Sequence, residues 1–120
     1  MSRILVAEDS GTILLLLRKR LELAGHEVIP AVDGREALSQ ARAVEPDVIV
    51  LDAMMPFLSG IEVLRTLRDE GDATPVVMVS AHRDSTELQG AMDLGASAVL
   101  AKPFDWDELL GEIDRLARPR

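Results

Sequence analysis

The stretch Val48-Ile49-Val50-Leu51-Asp52-Ala53-Met54-Met55-Pro56 decides the fold. Four apolar, mostly β-branched residues run straight into one carboxylate, and the chain then turns at a proline. A continuous apolar run of this kind reads as a central strand of a parallel sheet, buried on both faces. Asp52 falls at its carboxyl end, the edge at which ligands bind in open α/β sheets. An acid at that position is costly unless a cation meets it. The flanking sequence is therefore read for what meets Asp52.

Upstream, Arg3 to Ala7 reads as a first strand ending in Glu8-Asp9, and Ser10-Gly11-Thr12 as a turn. Ile13 to Ala24 has helical spacing, with Gly25 as its C-terminal stop. Glu27 to Val32 is a short strand in which Pro30 is tolerable only near a sheet edge. Asp33-Gly34-Arg35-Glu36 has the spacing of a capped helix start, and that helix runs to about Val44, before Glu45-Pro46. Asp47 to Leu51 is the third strand.

Downstream, Ser59-Gly60-Ile61-Glu62 is a capping box opening a helix that Gly71 closes. Val76-Val77-Met78-Val79 is another continuous apolar strand, ending at Ser80. Asp84-Ser85-Thr86-Glu87 opens a fourth helix, closed by Gly95, with Gly90 inside it. That glycine reads either as a point of mobility or as a site of close packing. Ala98 to Ala101 is a fifth strand leading to Lys102-Pro103, and Asp105-Trp106-Asp107-Glu108 opens a last helix reaching about Ala117. Five strands alternating with five helices imply a parallel sheet covered on both sides, with right-handed crossovers.

Composition narrows the function classes. The 120 residues suffice for one domain, and 48% are apolar, which argues for a packed core. Lysine and arginine number 13 against 21 acidic residues, a net charge of −8 that disfavours direct nucleic-acid binding. With no tyrosine, two phenylalanines and one tryptophan, a base-stacking platform is not built. There is no cysteine, hence no disulfide and no thiolate metal site. No apolar run approaches the roughly 20 residues of a membrane span, and the beginning of the chain reads as a strand rather than a leader. These features point to a cytoplasmic location.

In a parallel sheet all strand ends of one polarity share one edge. Glu8, Asp9, Asp52, Ser80 and Lys102 therefore converge. Three carboxylates repel unless a cation sits among them, and hard oxygen ligands with open positions suit Mg²⁺. A metal and a lysine beside one carboxylate make a place for phosphoryl oxygens. Asp52 could then be a nucleophile forming an acyl phosphate, with Ser80 bonding a phosphoryl oxygen. The plainer role of Glu8-Asp9, charge at a helix N-terminus, is compatible with ligation.

The ordered set Glu8-Asp9, Asp52-Ala53-Met54-Met55-Pro56 with Gly60, Ser80-Ala81, and Lys102-Pro103-Phe104 resembles the receiver domain of two-component response regulators, the CheY-like proteins, over essentially the whole chain. The resemblance implies a flavodoxin-like (βα)5 sandwich with strand order 2-1-3-4-5, in a single receiver domain spanning 1–120 with no output domain in this chain. It implies that Asp52 accepts a phosphoryl group from a histidine kinase or a histidine phosphotransfer protein. Mg²⁺ would be held by Glu8, Asp9, Asp52 and the Met54 backbone carbonyl. Lys102, Ser80 and the backbone of Met54 and Ala81 would contact the phosphoryl group, and the Lys102-Pro103 peptide is expected to be cis. One position departs from the pattern: Val99 stands where the family usually has a tyrosine or phenylalanine that rotates inward on activation.

Helical spacing places Ile13, Leu14, Leu17, Leu21 and Ala24 on one core-facing side of the first helix, with Leu15 opposite and Leu16 and Leu23 flanking it. Leu15 and Leu16 read either as wider burial or as a docking patch for the phosphodonor, the helix that receivers use for it. In the last helix Leu109, Leu110, Ile113 and Leu116 make the inner stripe. The face of the fourth helix, fifth strand and fifth helix is expected to meet a downstream protein or a second copy. His82, two residues after Ser80, is either a group that controls water access to the phosphoryl group or a solvated loop residue; His26 reads as a turn residue. Two other functions compete with a phosphorylation-controlled binding module. A Mg²⁺-dependent phosphohydrolase of the haloacid-dehalogenase type would need an aspartate at the position of Met54, so turnover of external substrates is not expected. A degenerate receiver acting as a constitutive scaffold conflicts with the intact acid, hydroxyl and lysine set, though Val99 fits it.

Overall fold

A computed structural model describes residues 2–81, 86–103 and 105–117. Five strands, β1 (Arg3–Ala7), β2 (Glu27–Ala31), β3 (Val48–Asp52), β4 (Val76–Ser80) and β5 (Ala98–Ala101), alternate with helices α1 (Gly11–Leu23), α2 (Gly34–Val44), α3 (Gly60–Asp69), α4 (Thr86–Asp93) and α5 (Trp106–Leu116). The sheet order is β2-β1-β3-β4-β5 and every pairing is parallel. β3 lies at the centre, and all five of its residues are buried. That is the burial its unbroken apolar run requires, since helices cover both faces of a parallel sheet.

Alternation along the strands divides the core in two. Leu5, Ile49, Leu51, Val76 and Met78 pack with Ala37, Leu38 and Ala41 of α2, Val63, Leu64 and Leu67 of α3 and Ala91 of α4. Ile4, Val6, Val48, Val50, Val77 and Val79 pack with Leu17 and Leu21 of α1 and Leu109 and Ile113 of α5. Leu110 and Leu116 complete the expected α5 stripe as partly buried neighbours. Val99 joins the first of these layers, packed against it from β5.

Several boundaries differ from the sequence reading. Gly11 and Thr12 are not a turn but the first turn of α1, because the Ser10 side chain caps it by accepting from the Ile13 N–H. Ala24 is exposed at the C-cap instead of facing the core. β2 stops at Ala31 and leaves Val32 exposed. β3 is shifted by one residue: the Asp47 carboxylate accepts from the Arg3 N–H, and Asp52 is the last strand residue. The edge position of β2 accommodates Pro30 as expected. Ser59 and Glu62 form the full capping box, whereas His82, the Asp84-Ser85 cap and Phe104 lie outside the described residues.

Two glycines bring elements closer than any other residue allows. A Cβ on Gly60 would stand 2.3 Å from the Asp52 carbonyl oxygen, so the first residue of α3 presses directly on the end of β3. A Cβ on Gly34 would stand 2.1 Å from the Leu58 carbonyl oxygen, clamping the start of α2 to the β3–α3 loop.

Candidate functional site

At the carboxyl edge of the sheet, β1 delivers Glu8 and Asp9, β3 delivers Asp52, β4 delivers Ser80 and β5 delivers Lys102. The parallel topology brings together every acid, hydroxyl and lysine that the strand reading placed there. Glu8, Asp52 and Ser80 are the buried polar residues of the described chain. Asp9, adjacent to Glu8, is exposed.

Each buried carboxylate is held at both oxygens. The Lys102 ammonium donates to Glu8 Oε1 at 2.9 Å and to Asp52 Oδ2 at 3.1 Å. The second Glu8 oxygen accepts from the Ser10 N–H at 3.0 Å, and the second Asp52 oxygen from the Met54 N–H at 3.2 Å. The lysine is placed by its own backbone, whose N–H donates to the Ser80 carbonyl at 2.7 Å, and the Lys102-Pro103 peptide is cis as expected. Burial alone would pull the Lys102 ammonium below the ordinary lysine value. Its bonds to Glu8 and Asp52, with their negative charge, outweigh burial and hold it above that value.

Carboxylate oxygens of Glu8, Asp9 and Asp52 lie within 4.8 Å of one another. Three hard oxygen donors so close, two of them buried, fit a small divalent cation such as Mg²⁺, whose remaining positions water would fill. The donor set therefore fits the metal that the resemblance implies.

The surroundings carry features that the sequence reading did not isolate. Lys102 bridges Glu8 as well as Asp52, a contact no local pattern carries, because Lys102 and Glu8 are 94 residues apart and meet only through the sheet. In the β3–α3 loop Phe57 has φ +70, the left-handed region, and the Arg35 guanidinium lies over its ring at 4.1 Å from the centroid. Beside Lys102 a cavity of about 380 Å³ is lined by Ile13, Leu16, Lys102, Pro103 and Trp106. Leu15 is 52% and Leu16 50% exposed, so α1 does not bury them and the wider-burial reading is removed. Leu23 is more exposed still. A Cβ on Gly90 would meet nothing within 4 Å, so no neighbouring element demands a glycine there. His26 is not a simple turn residue: its ring is nearly buried and bonds Asp114 of α5 through Nε2 at 3.1 Å.

A parallel α/β domain of strand order 2-1-3-4-5 with three acids, a hydroxyl and a lysine on its carboxyl edge defines the class of CheY-like signalling modules. The chain belongs to the response regulator receiver domain family, whose profile matches residues 4–114. It is 42% identical over 116 residues to the response regulator MprA of Mycolicibacterium vanbaalenii, covering 97% of this chain and 50% of that protein. It is 39% identical to the alkaline phosphatase synthesis transcriptional regulatory protein PhoP of Bacillus subtilis, covering 97% of this chain and 48% of that one. The chain thus spans about half the length of these curated relatives. Among solved structures it is similar to the receiver domain of the Francisella response regulator 1452, with a TM-score of 0.92, 38% identity and coverage of 98% and 97% of the two chains. It is also similar to the Vibrio cholerae chemotaxis protein CheY4, with a TM-score of 0.88, 34% identity and coverage of 97% and 98%. The fold class and the family expected from the sequence are both borne out. The domain is a receiver module of two-component signalling, a family that works with histidine kinases and downstream effectors and generally places Mg²⁺ in an acidic pocket. Among the described residues no helix is long and apolar enough to cross a membrane.

Proposed function

We propose that this domain accepts a phosphoryl group on Asp52 from a histidine kinase or a histidine phosphotransfer protein and signals by altered protein contacts, in the cytoplasm. The observation that carries the reading is the Asp52 carboxylate itself. It is buried at the central strand's end, bonded to Lys102, and within metal-sharing distance of Glu8 and Asp9.

In the transfer, an Asp52 oxygen attacks the phosphorus of the phosphohistidine. A P–O bond forms and the P–N bond breaks, and the electron pair of that bond leaves with the donor imidazole, which takes a proton. Lys102, already beside Oδ2, donates to a phosphoryl oxygen, and the Ser80 hydroxyl donates to another. The backbone N–H groups of Met54 and Ala81 donate to the rest of the group. Glu8, Asp9, Asp52 and the Met54 carbonyl would hold Mg²⁺, which when bound neutralises phosphoryl charge in the transition state. Leu15 and Leu16 are half-exposed on α1, Leu16 also lining the cavity at Lys102, and they supply apolar surface for docking the donor. The α4-β5-α5 face serves a downstream protein or a second copy. Self-phosphorylation from small donors and slow autodephosphorylation are the only chemistry assigned to the domain, and turnover of an external substrate is not. A constitutive scaffold is the second reading. Val99 favours it, because a valine packed on the core has no ring to rotate.

Intact mass after incubation with acetyl phosphate tests the proposal, with Mg²⁺, with a chelator, and on Asp52→Asn. Gain of one phosphoryl group that requires both Mg²⁺ and Asp52 is expected. No gain in any arm, followed by no transfer from a phosphorylated histidine kinase, overturns the phosphoacceptor reading and leaves the scaffold.

A further inference from the structure

We propose that Arg35 and Phe57 form a latch between α2 and the β3–α3 loop that positions the Met54 carbonyl for Mg²⁺ at the Glu8, Asp9 and Asp52 cluster. The inference rests on the metal site assigned under the proposed function and goes beyond it. Arg35 and Phe57 touch none of the reacting groups and act as positioning residues.

Phe57 occupies a backbone conformation, φ +70, that bulky side chains seldom adopt and glycine adopts freely. The Phe57 side chain is not itself held by the core, since the residue is 66% exposed between the core-packed Met55 and Leu58. What meets the ring is the Arg35 guanidinium at 4.1 Å from its centroid. Arg35 forms no ion pair among the described residues, so its charge is free for the ring.

The same two elements are joined by backbone immediately beside this stack. The Gly34 N–H donates to the Pro56 carbonyl at 3.4 Å, and Gly34 lies so close to the Leu58 carbonyl that no Cβ fits between them. Residues 56, 57 and 58 of the loop are thus gripped by residues 34 and 35 of α2. Pro56 is two residues from Met54, whose N–H bonds Asp52 and whose side chain is largely exposed. The carbonyl belongs to the peptide shared with Met55, which packs against the core as Leu58 does, and the grip of α2 on residues 56–58 adds a second restraint from the exposed side. A loop held in one conformation presents the carbonyl at no ordering cost. A loop that samples several lowers the apparent affinity by the fraction of time it is competent.

The test is an Mg²⁺ titration of the whole chain followed by the backbone amide shift of Met54, with melting in chelator as a second readout. Phe57→Gly and Arg35→Gln each remove the stack, and Arg35→Lys keeps a cation over the ring. Exposed cation–π contacts limit the effect to about fivefold, and Mg²⁺ affinity in Phe57→Gly and Arg35→Gln should fall by about three- to fivefold. Arg35→Lys should stay within about twofold of the parent. Melting of Phe57→Gly in chelator should not fall, because glycine suits the left-handed backbone; a surface contact that only stabilised the fold would move melting and leave Mg²⁺ affinity alone. Unchanged affinity in all three variants, or equal weakening in Arg35→Lys and Arg35→Gln, overturns the latch while the metal site stands. Asp9→Asn separates the two levels: if the parent's Mg²⁺ response persists in Asp9→Asn, the metal-site reading fails and the latch fails with it.

Discussion

Replacing Lys102 with methionine keeps the length of the side chain and deletes the ammonium that Glu8 and Asp52 share. The two carboxylate side chains are 4% and 8% exposed, and the lysine is 21% exposed. Removing one partner of a fully buried ion pair costs about 3–5 kcal/mol, because the remaining charge is left in a poor solvent. Two features lower the figure here. Each carboxylate keeps one backbone N–H donor, from Ser10 or Met54, and the lysine end of the pair is partly wet. A loss of about 2–3 kcal/mol is expected, which for a domain of this size lowers the melting temperature by roughly 10 °C. Urea unfolding followed by far-ultraviolet circular dichroism, in chelator so that no metal replaces the ammonium, measures it. The pH dependence has a definite sign. The folded state holds the Lys102 proton more tightly than the unfolded chain does. Its contribution is therefore intact below the ordinary lysine value of about 10.4 and is lost as pH rises through the higher folded value. The gap between parent and Lys102→Met should stay level from about pH 7 to about pH 9 and close only in stronger alkali. A loss below about 0.5 kcal/mol, the size of an exposed surface pair, would refute the account of Lys102 as the cation that makes two buried acids tolerable.

Gly60→Ala places a methyl group against the Asp52 carbonyl, a backbone atom that cannot step aside. Overpacking of this kind costs about 1–3 kcal/mol, and by shifting the end of β3 it should also slow phosphoryl uptake from acetyl phosphate; parental stability and rate together would show that α3 yields freely. Gly90→Ala is the opposite case: α4 has open space there, so stability should rise by about 1 kcal/mol with phosphoryl uptake unchanged. A destabilised Gly90→Ala in the same urea series would mean that the position serves something other than plain helix.

Much of the site was legible because it depends on topology more than on packing. Continuous apolar runs at Val48–Leu51 and Val76–Val79 identified buried parallel strands, and parallel strands place their carboxyl ends on one edge whatever the details. Asp52, Ser80 and Lys102 could be assigned to one pocket on that ground. Ser10 reads as part of a turn in the sequence because a serine before a helix and a serine within a turn look alike, and only the Ile13 N–H on its side chain distinguishes them. Leu15 and Leu16 were ambiguous for a related reason: spacing gives the face a residue occupies, and only the position of the neighbouring elements decides whether that face is covered.

By itself the sequence determined the alternation of strands and helices, the sheet class, the polarity of the functional edge and the residues gathered on it. These follow from local periodicity and from the handedness of βαβ connections, which act over short spans of chain. Tertiary structure alone decided that Lys102 bridges Glu8 as well as Asp52, and that Glu8 is buried while Asp9 is exposed. It alone decided that Gly34 and Gly60 are required by close approach and that Arg35 covers Phe57 in a left-handed backbone. Each of these depends on the distance between elements remote in sequence, set by how whole helices settle on the sheet, and no local pattern encodes that distance.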